Sequence, residues 1–168
     1  MSSDIRKLKK KLTKIFNEFI RVRDQKLQGG KCISCNNLGT QAGHYYSTSQ
    51  CPQPSMIFNE KNVNLQCAHC NCWLHGSIQD YSVALNKKWG YNVVEELAVQ
   101  RTFKQNPWTR FEYEVMIKEY TKKLAELKMQ PAGVVNEMPK SKSGSSAHGG
   151  RVVERQRIVR PRNGKKNA

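Results

Sequence analysis

Four of the six cysteines, Cys32, Cys35, Cys67 and Cys70, stand as two C-x2-C pairs. Thiolates at that spacing converge on one ion, and two such pairs make the closed tetrahedral site of a structural zinc. The 31 residues between the pairs exceed the insert of a simple zinc ribbon, so a further element lies between the knuckles. A redox role for either pair is disfavoured because no thioredoxin-like βαβ pattern surrounds it. Cys51 and Cys72 have no partner in the tetrad and read as spare reduced thiols. A disulfide framework would suit a secreted chain, and no secretory segment is visible.

The insert carries His44 in QAGHYYS and Asn62, five residues before Cys67; Asn71 follows Cys70 directly, and His75 lies four residues beyond it. An imidazole ordinarily titrates near neutrality and can take a proton from water, the task of a general base. Singly, these residues have plain readings: a histidine hydrogen-bonded for structure, asparagines satisfying turns. Together they resemble the HNH, or ββα-metal, nuclease arrangement in an H-N-N form.

The elements that must position these groups can be read from periodicity. Between Ser3 and Lys26 the residues Ile5, Leu8, Leu12, Ile15, Phe16, Phe19 and Ile20 recur at spacings of three and four among lysines, an amphipathic helix that Gly29 and Gly30 stop. Residues 36–66 read as an irregular hairpin or long loop, with β-compatible stretches at His44–Tyr46 and Met56–Phe58. Ile78–Trp89 and Val93–Phe103 read as short helices separated by Gly90. A third helix starts at the Thr109-x-x-Glu112 capping box, carries Phe111, Val115, Tyr120, Leu124 and Leu127, and ends before Pro131. The expected organisation is therefore α+β. Residues 1–28 form a basic amphipathic helix or arm, 29–90 a small zinc-stabilised ββα-metal (HNH-like) core, 91–130 the helical C-terminal part of the same domain, and 131–168 a disordered basic tail.

Charge divides along the same lines. The 168-residue chain has a formal net charge of +16, of which residues 1–28 carry +6, residues 29–137 only +2, and residues 138–168 +8. A nearly neutral centre between cationic ends excludes an enzyme whose whole surface steers an acidic substrate, and favours a core held on a polyanion by its ends. The expected phosphate contacts are Lys7, Lys10, Lys11 and Lys14 on the first helix and Arg151, Arg155, Arg157, Arg160 and Arg162 in the tail. They act by shape and charge, without base readout. No apolar run approaches a membrane span and no lipidation motif is present, so the expectation is a cytoplasmic protein with DNA, not a membrane, as partner.

The segments NEFIRVRD, KCISC, AGHYYS, FNEKNVNLQCAHCN and WTRFEYEVMIKEYTKKLAEL are similar, in order and spacing, to those of the phage NinG (Rap) recombination nuclease family. The similarity covers about residues 17–127. It implies a zinc-stabilised endonuclease, dependent on a divalent cation such as magnesium or manganese, that cuts branched DNA such as Holliday junctions or D-loops during phage recombination. The setting would be the bacterial host cytoplasm, with phage or host recombination proteins as candidate partners and a homodimer as a candidate state, since resolving a junction takes two cuts. Carried across by position, His44 would activate water, Asn71 would ligate the catalytic ion with His75 as a further candidate, and Asn62 would fix the hairpin and orient the histidine. Gln41 and Gly43 stand where acidic residues occur in NinG-like and HNH sequences respectively. Two alternatives therefore stay open: a generic HNH nicking or restriction-type nuclease, and a non-catalytic zinc module that binds branched or single-stranded DNA.

Overall fold

The computed structural model describes residues 2–130. Helix α1 spans Ser3–Gln28: the Ser2 hydroxyl accepts from the Ile5 amide at its start, and Gly29, at φ 62°, ends it in the left-handed conformation that glycine adopts without strain. Strand β1 (Gln41–His44), a short helix α2 (Pro54–Ile57) and strand β2 (Val63–Gln66) follow. The second knuckle runs into a single π turn, His69–Trp73, and three helices complete the described residues: α3 (Ile78–Trp89), α4 (Val93–Gln100) and α5 (Arg110–Met129). The result is a mixed architecture with one small antiparallel sheet, pairing Gln41 with Gln66, Ala42 with Leu65, Gly43 with Asn64 and His44 with Val63.

The helix periodicity places α1 and α5 side by side. Leu12, Phe16, Phe19 and Ile20 of α1 meet Tyr113, Ile117, Tyr120 and Leu124 of α5 in one core, with Phe58 from between the strands and Val63 of β2. Phe16 sits edge-on to both Phe58 and Tyr120, at 5.6 and 4.8 Å between ring centres, an arrangement that adds quadrupole attraction to area burial. The capping box at the start of α5 is formed in both directions between Thr109 and Glu112, and the Lys26 ammonium of α1 caps its far end by donating to the carbonyls of Leu127 and Gln130. A second cluster packs Tyr45, Cys51 and Met56 against Tyr81 and Leu85 of α3 and Val93 and Leu97 of α4.

Several expectations are corrected here. Residues 1–28 are an arm only on one face: Lys7, Lys10, Lys11 and Lys14 are exposed, while the opposite face is core. Met56–Phe58 does not form a strand. Pro54 at the first helical position presets a turn of helix there, and β1 pairs with Val63–Gln66 instead. The fourth helix ends at Gln100, short of Phe103. On α5, Phe111 and Val115 face solvent and Tyr113 and Ile117 face the core. The arginines of the tail, from Arg151 to Arg162, and the tail's disorder lie outside the described residues.

A two-stranded sheet is marginal by itself, and the outer edge of β2 is secured by side chains. Asp24, fully buried, accepts from the Leu65 amide at 2.8 Å. Arg23 donates to the Val63 carbonyl at 3.0 Å, to Asn64 Oδ1 at 3.1 Å and to Asp24 itself. Lys88 of α3 reaches Asp24 Oδ1 and Asn64 Oδ1, both at 2.7 Å. Burial alone would raise the Asp24 pKa, but the Arg23 guanidinium and the Lys88 ammonium outweigh it and hold the carboxyl below its ordinary range. Burial and the neighbouring Arg23 push Lys88 down to about 8 despite its pairing with Asp24.

Candidate active site and metal centre

The Sγ atoms of Cys32, Cys35, Cys67 and Cys70 all lie within 4.8 Å of one another. Cys35 and Cys67 approach to 3.6 Å, close to the edge of about 3.8 Å that a tetrahedron with zinc–sulfur bonds of about 2.3 Å requires. The first knuckle is a tight turn in which the Asn36 amide donates to the Cys32 carbonyl, with Asn36 at φ 66°. The second is the start of the π turn. Burial pushes all three perturbed thiols up; for Cys67 the Cys70 amide and the surrounding thiols overcome this and hold it at about 7, whereas Cys35 and Cys70 stay raised. One thiolate is easily formed among its neighbours, and the next ones meet its charge. A divalent cation removes that opposition, so the donor set fits a structural zinc.

β2 runs directly into Cys67, and the remaining groups lie on β1, just before β2 and in the π turn. His44 ends β1, half-buried, with Nε2 3.1 Å from the Ile57 carbonyl. A carbonyl only accepts, so Nε2 bears the proton and Nδ1 keeps its lone pair. Burial lowers the His44 pKa and the Ile57 bond opposes this, with burial the larger effect, so the ring is a neutral base.

Asn62 is fully buried and does not line the cavity that His44 faces. Its Nδ2 donates to the carbonyls of Met56 (2.9 Å) and Tyr46 (3.1 Å), and its Oδ1 accepts from the Tyr46 amide at 2.8 Å. Its backbone carbonyl takes the Tyr45 amide. One side chain thus ties the residues after His44 to the residue before Ile57, bracketing the histidine and its acceptor.

Asn71 lies in the π turn, where its Nδ2 donates to Gln41 Oε1 at 2.7 Å. That bond aims the amide and leaves Oδ1 free of Gln41. Asn71 and His75 do not share a helix face, as spacing alone would have them do. The turn stops at Trp73, and His75, Gly76 and Ser77 follow with φ values of 48°, 93° and 47°, a left-handed reversal that no helix continues through. The two residues nonetheless line the same cavity, of about 420 Å³, together with His44, Tyr45, Ser47 and Ile78. Among the described residues, none of its lining side chains is a carboxylate. His69 is exposed, Cys51 is buried in the second core cluster, and Cys72 is exposed with Sγ 3.4 Å from Gln41 Oε1.

Gly43 and Gln66 form a pair that composition and motif reasoning did not single out. A Cβ on Gly43 would stand 2.0 Å from Gln66 Oε1 and 3.0 Å from Asn71 Oδ1. Gln66 cannot swing away cheaply, because its Nε2 donates to the Gly76 carbonyl and the Ser34 hydroxyl, both at 2.8 Å. Its Oε1 has no hydrogen-bond partner among the described residues, so the place an acidic side chain would take at position 43 is filled by a fixed amide. Tyr81 completes the support by donating to the Gly43 carbonyl at 2.8 Å. The roles of Arg23, Asp24, Gln66 and Tyr81 were not legible in the sequence, since they depend on contacts across 10 to 64 residues of chain.

A family model described as Bacteriophage Lambda NinG protein matches residues 3–130. The chain belongs to the NinG family. It is 36% identical over 115 residues to Protein ninG of Salmonella phage P22 and, equally, to that of Escherichia phage lambda, covering 67% of this chain and 53% of each relative. For Protein ninG of Escherichia phage 933W the identity is 35%, with 54% of that protein covered. This NinG-family chain thus spans about half the length of the curated relatives it matches. The match of the family model takes in α1, both knuckles, the hairpin and α5. No solved structure matches. No helix among the described residues is long and apolar enough to cross a membrane.

Proposed function

We propose that this chain is a DNA endonuclease that hydrolyses phosphodiesters with an HNH-like site, acting on branched DNA of the Holliday-junction or D-loop type in phage recombination. The observation that carries the reading is the protonated Nε2 of His44 held on the Ile57 carbonyl, which leaves Nδ1 as a neutral base in a cavity shared with Asn71 and His75. His44 takes a proton from water as that water attacks phosphorus. Asn62 positions it by holding both ends of the intervening segment. The zinc-bound knuckles anchor the hairpin and the π turn on which Asn71 sits.

A divalent cation, when bound, would stabilise charge on the leaving oxygen. Asn71 Oδ1 and a His75 ring nitrogen are the side chains that would hold it, with water and the scissile phosphate as further ligands. An imidazole and an amide without a carboxylate suit manganese better than magnesium, which favours oxygen ligands. The test is incubation of the purified protein with labelled Holliday-junction, D-loop and linear duplex DNA, with and without magnesium or manganese, beside His44→Ala. Cleavage that is selective for branches, metal-dependent and lost in the variant supports the reading; undiminished cleavage by His44→Ala overturns the assigned base.

The lack of a carboxylate along the cavity among the described residues favours a second reading, a zinc module that binds branched or single-stranded DNA without cutting it. Branch-selective binding with no cleavage in any divalent cation would establish it over the first.

A further inference from the structure

A second cavity has a volume of about 610 Å³. It lies between α1, residues 52–54 and the segment 101–107 that joins α4 to α5. Lys9, Arg101 and Lys104 line it, and among the described residues no acidic side chain does. None of these cations is ion-paired among the described residues. Phe103 lines the same cavity yet is 59% exposed, an aromatic face left without a cover. Gln53 and Gln105 add amide groups to the wall.

One stretch of chain contributes to both cavities: Tyr45, Ser47, Thr48 and Gln50 line the cavity of His44, and residues 52–54 line the cationic one. The stretch is braced on the cationic side: Gln53 Nε2 donates to the Arg101 carbonyl at 3.0 Å, and the Arg101 guanidinium lies 4.9 Å from the centre of the Tyr46 ring. Tyr46 is in turn gripped by Asn62, the residue that also brackets His44. A strand that followed this stretch out of the first cavity would meet Lys9, Arg101, Lys104 and the exposed ring of Phe103.

From this juxtaposition we propose that the cationic cavity is a single-strand subsite, which takes an unpaired nucleotide of the DNA whose phosphodiester occupies the His44 cavity. Phosphate contacts come from Lys9, Arg101 and Lys104, and the base stacks on Phe103. The chemistry selects a single strand over a duplex. Bases in a duplex are stacked on one another and offer no face to Phe103, whereas a branch point or a flap supplies one, and a cationic groove with an aromatic platform is the general solution for that ligand. The inference rests on the nuclease reading for what lies in the first cavity, and it assigns contacts to residues outside the exposed lysine cluster of α1.

The experiment measures binding, with the full chain in its zinc form and no other divalent cation. Fluorescence anisotropy is read on a labelled single-stranded oligonucleotide and on a duplex of equal length, for wild type, Phe103→Ala, Phe103→Tyr and the Arg101→Gln/Lys104→Gln pair. Phe103→Ala is expected to weaken single-strand binding roughly five- to a hundredfold while changing duplex binding little, and Phe103→Tyr to restore it. The double glutamine variant is expected to lower the slope of log K against log salt by about 1.4 for single strands. As a readout needing no variant, a strand carrying 5-iodouracil should photocross-link to the peptide containing Phe103. Wild-type affinity in Phe103→Ala, or cross-links only elsewhere, overturns the subsite. Because no cleavage is measured, that failure is distinct from a failure of His44 as base, which the junction assay reads.

Discussion

Asn62 donates to the carbonyl of Met56 at 2.9 Å, one residue before the carbonyl that receives His44. The same amide grips Tyr46 two residues after the histidine. The tautomer of His44 is thereby tied to a side chain that never enters the cavity, which makes Asn62 a positioning residue.

Asn62→Ala should therefore act at a distance. It leaves three backbone groups, the buried Met56 C=O and the half-buried Tyr46 N–H and C=O, without this partner, at a cost of about 2–4 kcal/mol in unfolding free energy. In the junction assay kcat should fall with KM nearly unchanged, and Asn62→Asp, which keeps an acceptor for the Tyr46 amide, should retain more activity than Ala. Equal loss in both variants, all of it in KM, would contradict the positioning role.

For His44 the expected pH dependence follows from its lowered pKa. A base must be deprotonated to work, so kcat/KM should rise with pH through a limb whose midpoint lies below the ordinary histidine value of about 6.5 and stay flat above it. The same lowered value makes neutral His44 part of the folded state: protonation costs stability as pH falls below the unfolded value. His44→Ala should remove the activity limb. A limb centred well above 7 would assign the base to another group.

Gly43→Ala probes the close approach of Gln66. The added methyl meets a pinned amide oxygen at 2.0 Å, and the overpacking should cost about 1–3 kcal/mol in denaturant unfolding. In a double-mutant cycle with Gln66→Ala the two losses should be clearly sub-additive, because the second change removes the atom that the first strikes. Additive losses would mean that Gln66 does not occupy that space in solution.

Asp24→Ala is expected to destabilise by about 3–5 kcal/mol, since it strands Arg23 and Lys88 as buried cations. Asp24 has its pKa depressed on folding. Its stabilisation is present above the unfolded carboxyl value of about 3.9 and is lost as pH falls through the lower folded value. Thermal melts from pH 7 to pH 2 should show a steep acid limb in wild type and a flatter one in Asp24→Asn.

Metal removal should unfold the hairpin region. Atomic absorption on purified protein is expected to find one zinc per chain, released by a strong chelator along with four reactive thiols and a loss of cooperative melting. Release should also follow acidification, because protons compete with zinc for the four sulfurs. Retained melting without metal would make the tetrad an incidental cluster.

Much of the frame was legible in the chain itself. The spacing of Leu12, Phe16 and Phe19, the glycine stop at Gly29 and the Thr109–Glu112 box marked α1 and α5 because helix signals are local. The C-x2-C pairs announced the cysteine tetrad because few other uses of four thiols keep that spacing. Where periodicity was short the reading failed. Met56–Phe58 looked extended until Pro54 set a helical turn, and Phe111 and Val115 fit a stripe that the packing of α5 against α1 turned outward.

The sequence by itself determined the helices, the tetrad and the family, since each is written in residues that neighbour one another or recur at fixed intervals. Only the tertiary structure decided which His44 nitrogen carries the proton, that Gln66 fills the place beside Gly43, that Asp24 of α1 holds the edge of β2, and that Lys9 and Arg101 face one cavity. Those are contacts between segments far apart in the chain, fixed by close packing and by the need of every buried polar group for a partner. No spacing rule along the sequence encodes them.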